Sequence, residues 1–257
     1  MSLRPCLLAL LLLSLSGCAG MIRSMIYYPP TAPLSLTGLP SGARMVEVET
    51  ADGLALKGVH VPGEAAQPLL LVFHGNAASA DAQAAWFAPL AVAGYSLLSA
   101  EYRGYSGNPG EPSQEGLAKD ADAYLARARA LAGDAPVYVV GHSLGGGVAF
   151  DLSRRHRLDM LVTLSTFTSV VDMAPSWAGW LVPDKYDNRN AVAVSDVPLL
   201  ILHGRDDGVV PFAHGEALAR AADAAGRRHL FMPVAGDHNP DVGDILAGLR
   251  VAERDLS

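Results

Sequence analysis

The chain has 257 residues, half of them hydrophobic and 18% charged, enough apolar material for one large core in a single domain. Its net charge of −7, with no cluster of Lys and Arg, excludes a nucleic-acid partner, because phosphate backbones are held by grouped cations. No internal repeat and no long run of like charge interrupts it.

The N-terminus stands apart from the rest. Arg4 is followed by an almost unbroken apolar run from Cys6 to Leu15. A bilayer span needs about 20 such residues, so the run fits the hydrophobic part of a signal peptide instead. Leu15-Ser16-Gly17-Cys18 then reads as a bacterial lipobox, in which small residues let a peptidase cut before the cysteine that carries the lipid. The expected organisation is a signal peptide over 1–17, a lipid anchor at Cys18 with a tether to residue 42, and one domain over 43–257. Cys6 and Cys18 are the two cysteines, so the mature body contains no disulfide and rests on its core. Ala19 after the anchor is not the Asp that marks retention in the inner membrane. The expected location is therefore the outer membrane of a bacterial envelope, facing the periplasm. Met21, Ile22, Met25, Ile26, Tyr27 and Tyr28 give the tether an apolar part that either packs on the domain or lies at the membrane surface.

In the body, Met45–Thr50 and Leu54–Val61 alternate apolar and polar around Asp52-Gly53, the pattern of a hairpin. From Leu69–Phe73 onward the pattern changes to continuous apolar runs, at Tyr95–Ala100, Val137–Val140, Met160–Leu164 and Leu199–Leu202, with a less pure one at His229–Val234. Runs of this kind suit strands buried on both faces of a parallel sheet. Helical stretches fall between them, at Ala82–Ala93, Gln114–Leu131, Leu144–Arg154, Phe212–Ala224 and Asp241–Arg254. This alternation predicts an α/β fold, a mostly parallel doubly wound sheet with an antiparallel hairpin at its start. Residues 166–196 break the rhythm and read as a short cap, with Trp177, Trp180 and Leu181 as candidates to line a substrate entrance or simply to pack the cap down.

Gly141-His142-Ser143-Leu144-Gly145 follows a predicted strand and opens a predicted helix. This G-x-S-x-G context makes a sharp turn that lifts a serine hydroxyl above the sheet, with glycines where backbones crowd. A phosphate-binding turn would instead carry Gly-Lys-Ser/Thr or G-x-G-x-x-G, and neither is present. A serine needs a base held in one tautomer by an acid, and on this type of sheet the acid and the histidine follow the serine in chain order. Asp206 and Asp207 follow the Leu199–Leu202 strand, and His238 follows the last strand. The other histidines have lesser claims: His60, His156 and His214 are ordinary, His74 and His203 brace loops, and His142 is expected to point away from the site. No pair of them has zinc-ligand spacing, so no metal and no cofactor is expected. The backbone N–H groups of Leu144, after the nucleophile, and Asn76, after the Leu69–Phe73 strand, are the candidate oxyanion hole.

Taken with Phe73-His74-Gly75-Asn76-Ala77, Tyr102-Arg103-Gly104-Tyr105-Ser106-Gly107, Pro112 to Leu117, Asp184-Lys185-Tyr186-Asp187-Asn188 and Gly236-Asp237-His238-Asn239, the chain resembles the short-cap α/β-hydrolase proteins known as serine aminopeptidase-like hydrolases. The resemblance extends from Met45 to the C-terminus. It implies the α/β-hydrolase fold and a Ser143–His238–Asp207 triad, since the family's His-Gly-x-x-Asp pattern places the acid on Asp207 rather than Asp206. It also implies acyl transfer from a small-molecule ester or thioester without a cofactor. Carboxylic-ester hydrolysis is the expected reaction, with thioesterase, deacylase or peptidase action on the same triad as alternatives. An inactive envelope-anchored scaffold is the non-enzymatic alternative. The short cap predicts short-to-medium acyl chains.

Overall fold

The computed structural model describes residues 20–256. The signal peptide expected over 1–17 and the lipid attachment expected at Cys18 lie outside the described residues. Eight strands form a single sheet: β1 (Arg44–Glu49), β2 (Ala55–Val61), β3 (Leu69–Phe73), β4 (Ser96–Ala100), β5 (Val137–His142), β6 (Met160–Leu164), β7 (Leu199–Gly204) and β8 (His229–Val234). Their spatial order is β1-β2-β4-β3-β5-β6-β7-β8. β1 pairs antiparallel with β2 and β2 with β4, while every later pairing is parallel. The chain leaves β3 toward β4 on one side and returns to β5 on the other. The β3–β5 boundary is thus the switch point where such sheets open a crevice beyond their C-terminal strand ends.

Strand composition explains the layers. Successive residues of a strand face opposite sides, so Leu69, Leu71 and Phe73 enter one core while Leu70 and Val72 enter the other. The first core is closed by α4 (Gln114–Ala132), α5 (Leu144–Arg155), α7 (Asn188–Val194) and α8 (Ala213–Ala224). The second is closed by α2 (Ala80–Trp86), α3 (Ala88–Val92) and α9 (Val242–Asp255).

Two expectations change, and one open alternative is decided. The helix expected over Ala82–Ala93 is two short helices meeting at Phe87, because Pro89 lacks an N–H and its ring crowds the carbonyl four residues back. The cap is shorter than residues 166–196, since α7 packs on α5 and α8 as part of the body. What remains is α6 (Val170–Met173), a single 3₁₀ turn at Gly179–Leu181 and their loops. The tether, finally, is docked: residues 20–26 are helical (α1), Tyr27 is buried in the first core, and Leu34 and Leu39 pack against the second.

Candidate active site

Ser143 sits between the last residue of β5 and the first of α5, at φ +52° and ψ −115°. A non-glycine residue in that region is strained, and it persists only where its surroundings fix it. Here they do. Ser143 N–H donates to Leu164 O at 2.9 Å, and Thr166 Oγ1 donates to Ser143 O at 2.7 Å. The flanking glycines are required by contact: a Cβ on Gly145 would lie 2.0 Å from Phe73 O, and one on Gly141 would lie 2.4 Å from Gly145 O. The start of α5 therefore touches the end of β3 with no room for a side chain.

His238 follows β8. Its Nδ1 donates to Asp207 Oδ2 at 2.9 Å, which leaves Nε2 as the free ring nitrogen. Asp207 follows β7 and is buried, whereas Asp206 is exposed. The remaining Asp207 oxygen, Oδ1, accepts from the Val209 and Val210 amides, each at 2.8 Å. Burial alone pushes the Asp207 carboxyl up, but the His238 hydrogen bond and the Val210 and Val209 amides outweigh it and hold the group below its ordinary range. His203 Nε2 donates to Val210 O at 2.9 Å, so it braces the loop that presents Asp207.

Ser143 and His238 line the same cavity, though among the described residues no hydrogen bond joins the Ser143 hydroxyl to the His238 ring. Catalytic contacts of this kind are often long in the free enzyme and tighten around substrate. Two backbone donors flank the serine. Leu144 is the first residue of α5, where an N–H has no partner within its own helix. Asn76 follows β3 across the switch point, and its N–H makes no hydrogen bond among the described residues. The loop below it is fixed by His74, whose Nδ1 donates to Gly75 O at 2.8 Å and whose Nε2 meets Glu101 Oε1 at 2.7 Å. His74 and His203 thus brace loops, as their sequence positions predict.

His142 departs from expectation. It does not point away: its ring lines the cavity, its Nε2 donates to His238 O at 3.0 Å, and its centroid lies 4.9 Å from that of His238. Burial, followed by the neighbouring His238, lowers its pKa to about 4, so the ring is neutral and clasps the His238 loop without adding charge. Gly75 makes room for it, since a Cβ there would meet His142 Nδ1 at 2.9 Å.

Ser143, Asn76 and Val209 are shared by two lobes of one cleft. The first, about 580 Å3, includes Gln83, Trp86, His142, His238 and Asn239. The second, about 610 Å3, is lined almost wholly by apolar side chains, among them Phe167, Val170, Met173, Leu181 and Val182. Of the cap residues expected to line an entrance, Trp177 and Leu181 do so. Trp180 does not: it is 79% exposed and turns its Nε1 back to donate to Trp177 O, because the 3₁₀ turn carries its ring to the outer side. Sequence reasoning missed Ile22, Met25 and Ile26 of α1 as lining residues. Their helical i, i+3, i+4 spacing was the available signal.

Residues 68–183 match the family model of the alpha/beta hydrolase fold. An uncharacterized protein of Mycobacterium tuberculosis, MT2364, is 34% identical over 95% of this chain and 93% of its own length. The chain belongs to the α/β-hydrolase superfamily. Within the superfamily it is also similar to the lysophosphatidylserine lipase ABHD12 of Xenopus tropicalis, at 35% identity over 62% of this chain and 47% of that protein. Among solved structures, the esterase PF2001 of Pyrococcus furiosus superposes with a TM-score of 0.70, covering 89% of this chain and 96% of that one. At 16% identity that likeness concerns the fold alone. With this fold and these relatives, the chain is a hydrolase.

Proposed function

We propose that the protein is a serine hydrolase that cleaves carboxylic esters through an acyl-enzyme on Ser143. The observation that carries this reading is the buried, doubly held Asp207 carboxylate fixing His238 Nδ1, in one cleft with a serine on a strained elbow. His238 Nε2 takes the hydroxyl proton as Ser143 Oγ attacks the carbonyl carbon, and the Leu144 and Asn76 N–H groups receive the resulting oxyanion. His238 then returns the proton to the leaving alcohol as the C–O bond breaks. Water repeats the cycle: His238 takes its proton, hydroxide attacks the acyl carbon, and Ser143 departs with the proton back on its oxygen. No cofactor enters these steps.

The apolar lobe receives the acyl chain and the lobe beside Trp86 and His142 receives the leaving group. Among its described lining residues the leaving-group lobe holds no Lys or Arg, which favours a neutral alcohol over a phosphorylated one. Similarity to a lysophosphatidylserine lipase supports an ester rather than an amide. The outer wall of the acyl lobe is thin, with Trp177 73% and Met25 70% exposed. Each buried methylene gains about 0.8 kcal/mol, so preference rises with chain length and stops rising once the chain reaches this wall. A nitrophenyl ester series from acetate to palmitate tests the proposal. The expected kcat/KM climbs to medium length and then levels; no hydrolysis of any ester, with turnover of matched thioesters or aminoacyl amides, contradicts it.

The proposal includes the anchor. Cys18 carries a diacylglyceryl group and holds the enzyme at the periplasmic face of the outer membrane. The mass of the N-terminal peptide from the native host checks this, and an unmodified Cys18 refutes it.

A further inference from the structure

The apolar lobe is built from two parts of the chain that are far apart in sequence, and one of them precedes the residues that match the hydrolase family. Helix α1 presents two adjacent faces. On one, Ile22, Met25 and Ile26 line the lobe. On the other, Arg23 grips the body, together with Tyr27 just past the helix end. The Arg23 guanidinium reaches both carboxylate oxygens of Asp184, with Nε at 2.8 Å and Nη2 at 3.2 Å. Asp184 is buried, and the paired charge raises the Arg23 pKa. Tyr27, itself buried, shares a 3.1 Å hydrogen bond with the Tyr186 hydroxyl.

A third grip comes from the proposed oxyanion loop. The last carbonyls of a helix have no partner within it. Asn76 Nδ2 donates to one of them, Ile26 O, at 2.6 Å, and Asn76 Oδ1 accepts from Tyr28 N at 2.8 Å. The same Oδ1 accepts from the Tyr105 hydroxyl at 3.0 Å, which ties the contact to the loop after β4. Asn76, which lines the cleft beside Ser143, thus uses its side chain both to seat the end of α1 and to tie that end to Tyr105 and to its own loop.

We propose that α1 is a specificity-determining wall of the acyl site, seated by Asp184, Tyr186 and Asn76, and that it selects for acyl groups long enough to reach Ile22 and Met25. The proposal rests on the reading of Ser143 as the nucleophile and of the apolar lobe as the acyl lobe. Asp184 and Tyr186 act as positioning residues, through α1 rather than on the substrate.

The test uses the full chain and reads the ratio of kcat/KM for the octanoate and acetate nitrophenyl esters, with fluorophosphonate labelling of Ser143 measured in parallel. Ile22→Trp and Met25→Trp narrow the lobe, and each should lower the ratio about tenfold, the equivalent of roughly two buried methylenes lost. Met21→Trp, at a neighbouring exposed position outside the lining, should leave the ratio at the wild-type value. Asp184→Asn should lower the ratio about threefold, mainly by raising KM for octanoate rather than by lowering kcat. Intact labelling with an unchanged ratio in both tryptophan variants overturns the wall alone. A wild type that does not label at Ser143 overturns the reading on which the wall rests.

Discussion

The two sides of the cleft are built by different rules. On the reactive side, Ser143, Asp207 and His238 each follow a strand of the sheet, and hydrogen bonds at the strand ends hold them: the Val209 and Val210 amides on Asp207, and the Leu164 carbonyl on the Ser143 amide. On the acyl side, the wall is made of α1 and the reduced cap, joined by contacts such as Arg23 to Asp184, 161 residues apart. The strands that lead to Ser143 and Asp207 are buried along their whole length, and packing on both faces fixes their ends. The wall depends on one partly exposed ion pair, one tyrosine pair and one asparagine. In the proposed reading, chemistry is thus placed on the strand ends of the sheet, and selectivity on elements attached outside it.

Substitutions on the two sides should therefore differ in kind. The largest effect belongs to the reactive side. Asp207→Asn should lose about 10⁴-fold in turnover on acetate and octanoate esters alike, because the tautomer of His238 is lost whichever acyl group is bound. Asp206→Asn, at an exposed position with no side-chain hydrogen bond among the described residues, should stay within a few-fold of wild type. Steady-state kinetics on both variants decides between them; the reverse order would move the acid to Asp206.

A smaller effect concerns stability and pH. Burial pushes the pKa of His142 to about 4, and burial together with Arg44 and Arg127 does the same to His60. Free histidine in the unfolded chain titrates near ~6.5, so below that pH the unfolded state binds protons that the folded state refuses. Stability should be full above about 6.5, fall as the pH drops toward about 4, and gain no further slope from these two groups below that. The Asp207 contribution has the opposite origin: its folded carboxyl is depressed, so its stabilisation is lost at a lower pH, as the medium acidifies past the carboxylate range. Denaturant midpoints between pH 7.5 and 4.5 measure the histidine slope. His142→Asn, which cannot titrate, should show a shallower one.

The same contrast explains what could be read from the sequence. The sheet was legible because each parallel strand is an apolar run, and the bounds of β3, β6 and β8 coincide with those runs. Ser143 and His238 were legible as motifs at strand ends. The choice of Asp207 over Asp206 required the family pattern; its physical basis is the turn in which Asp207 Oδ1 accepts two amides at once. The orientation of His142 was not legible, because its partner carbonyl on His238 lies 96 residues away. Nor was the outward turn of Trp180, which follows from a single 3₁₀ turn, or the role of α1, whose apolar residues have the same pattern whether they meet a membrane or a cleft.

The central claim is that Ser143 is the activated nucleophile, and a fluorophosphonate probe tests it most directly, because the probe phosphonylates a serine only where a base and an oxyanion hole already act on it. Intact mass should show one adduct per wild-type chain, peptide mapping should place it on Ser143, and Ser143→Ala should show none. An adduct that maps to another serine, or that persists in Ser143→Ala, would contradict the assignment.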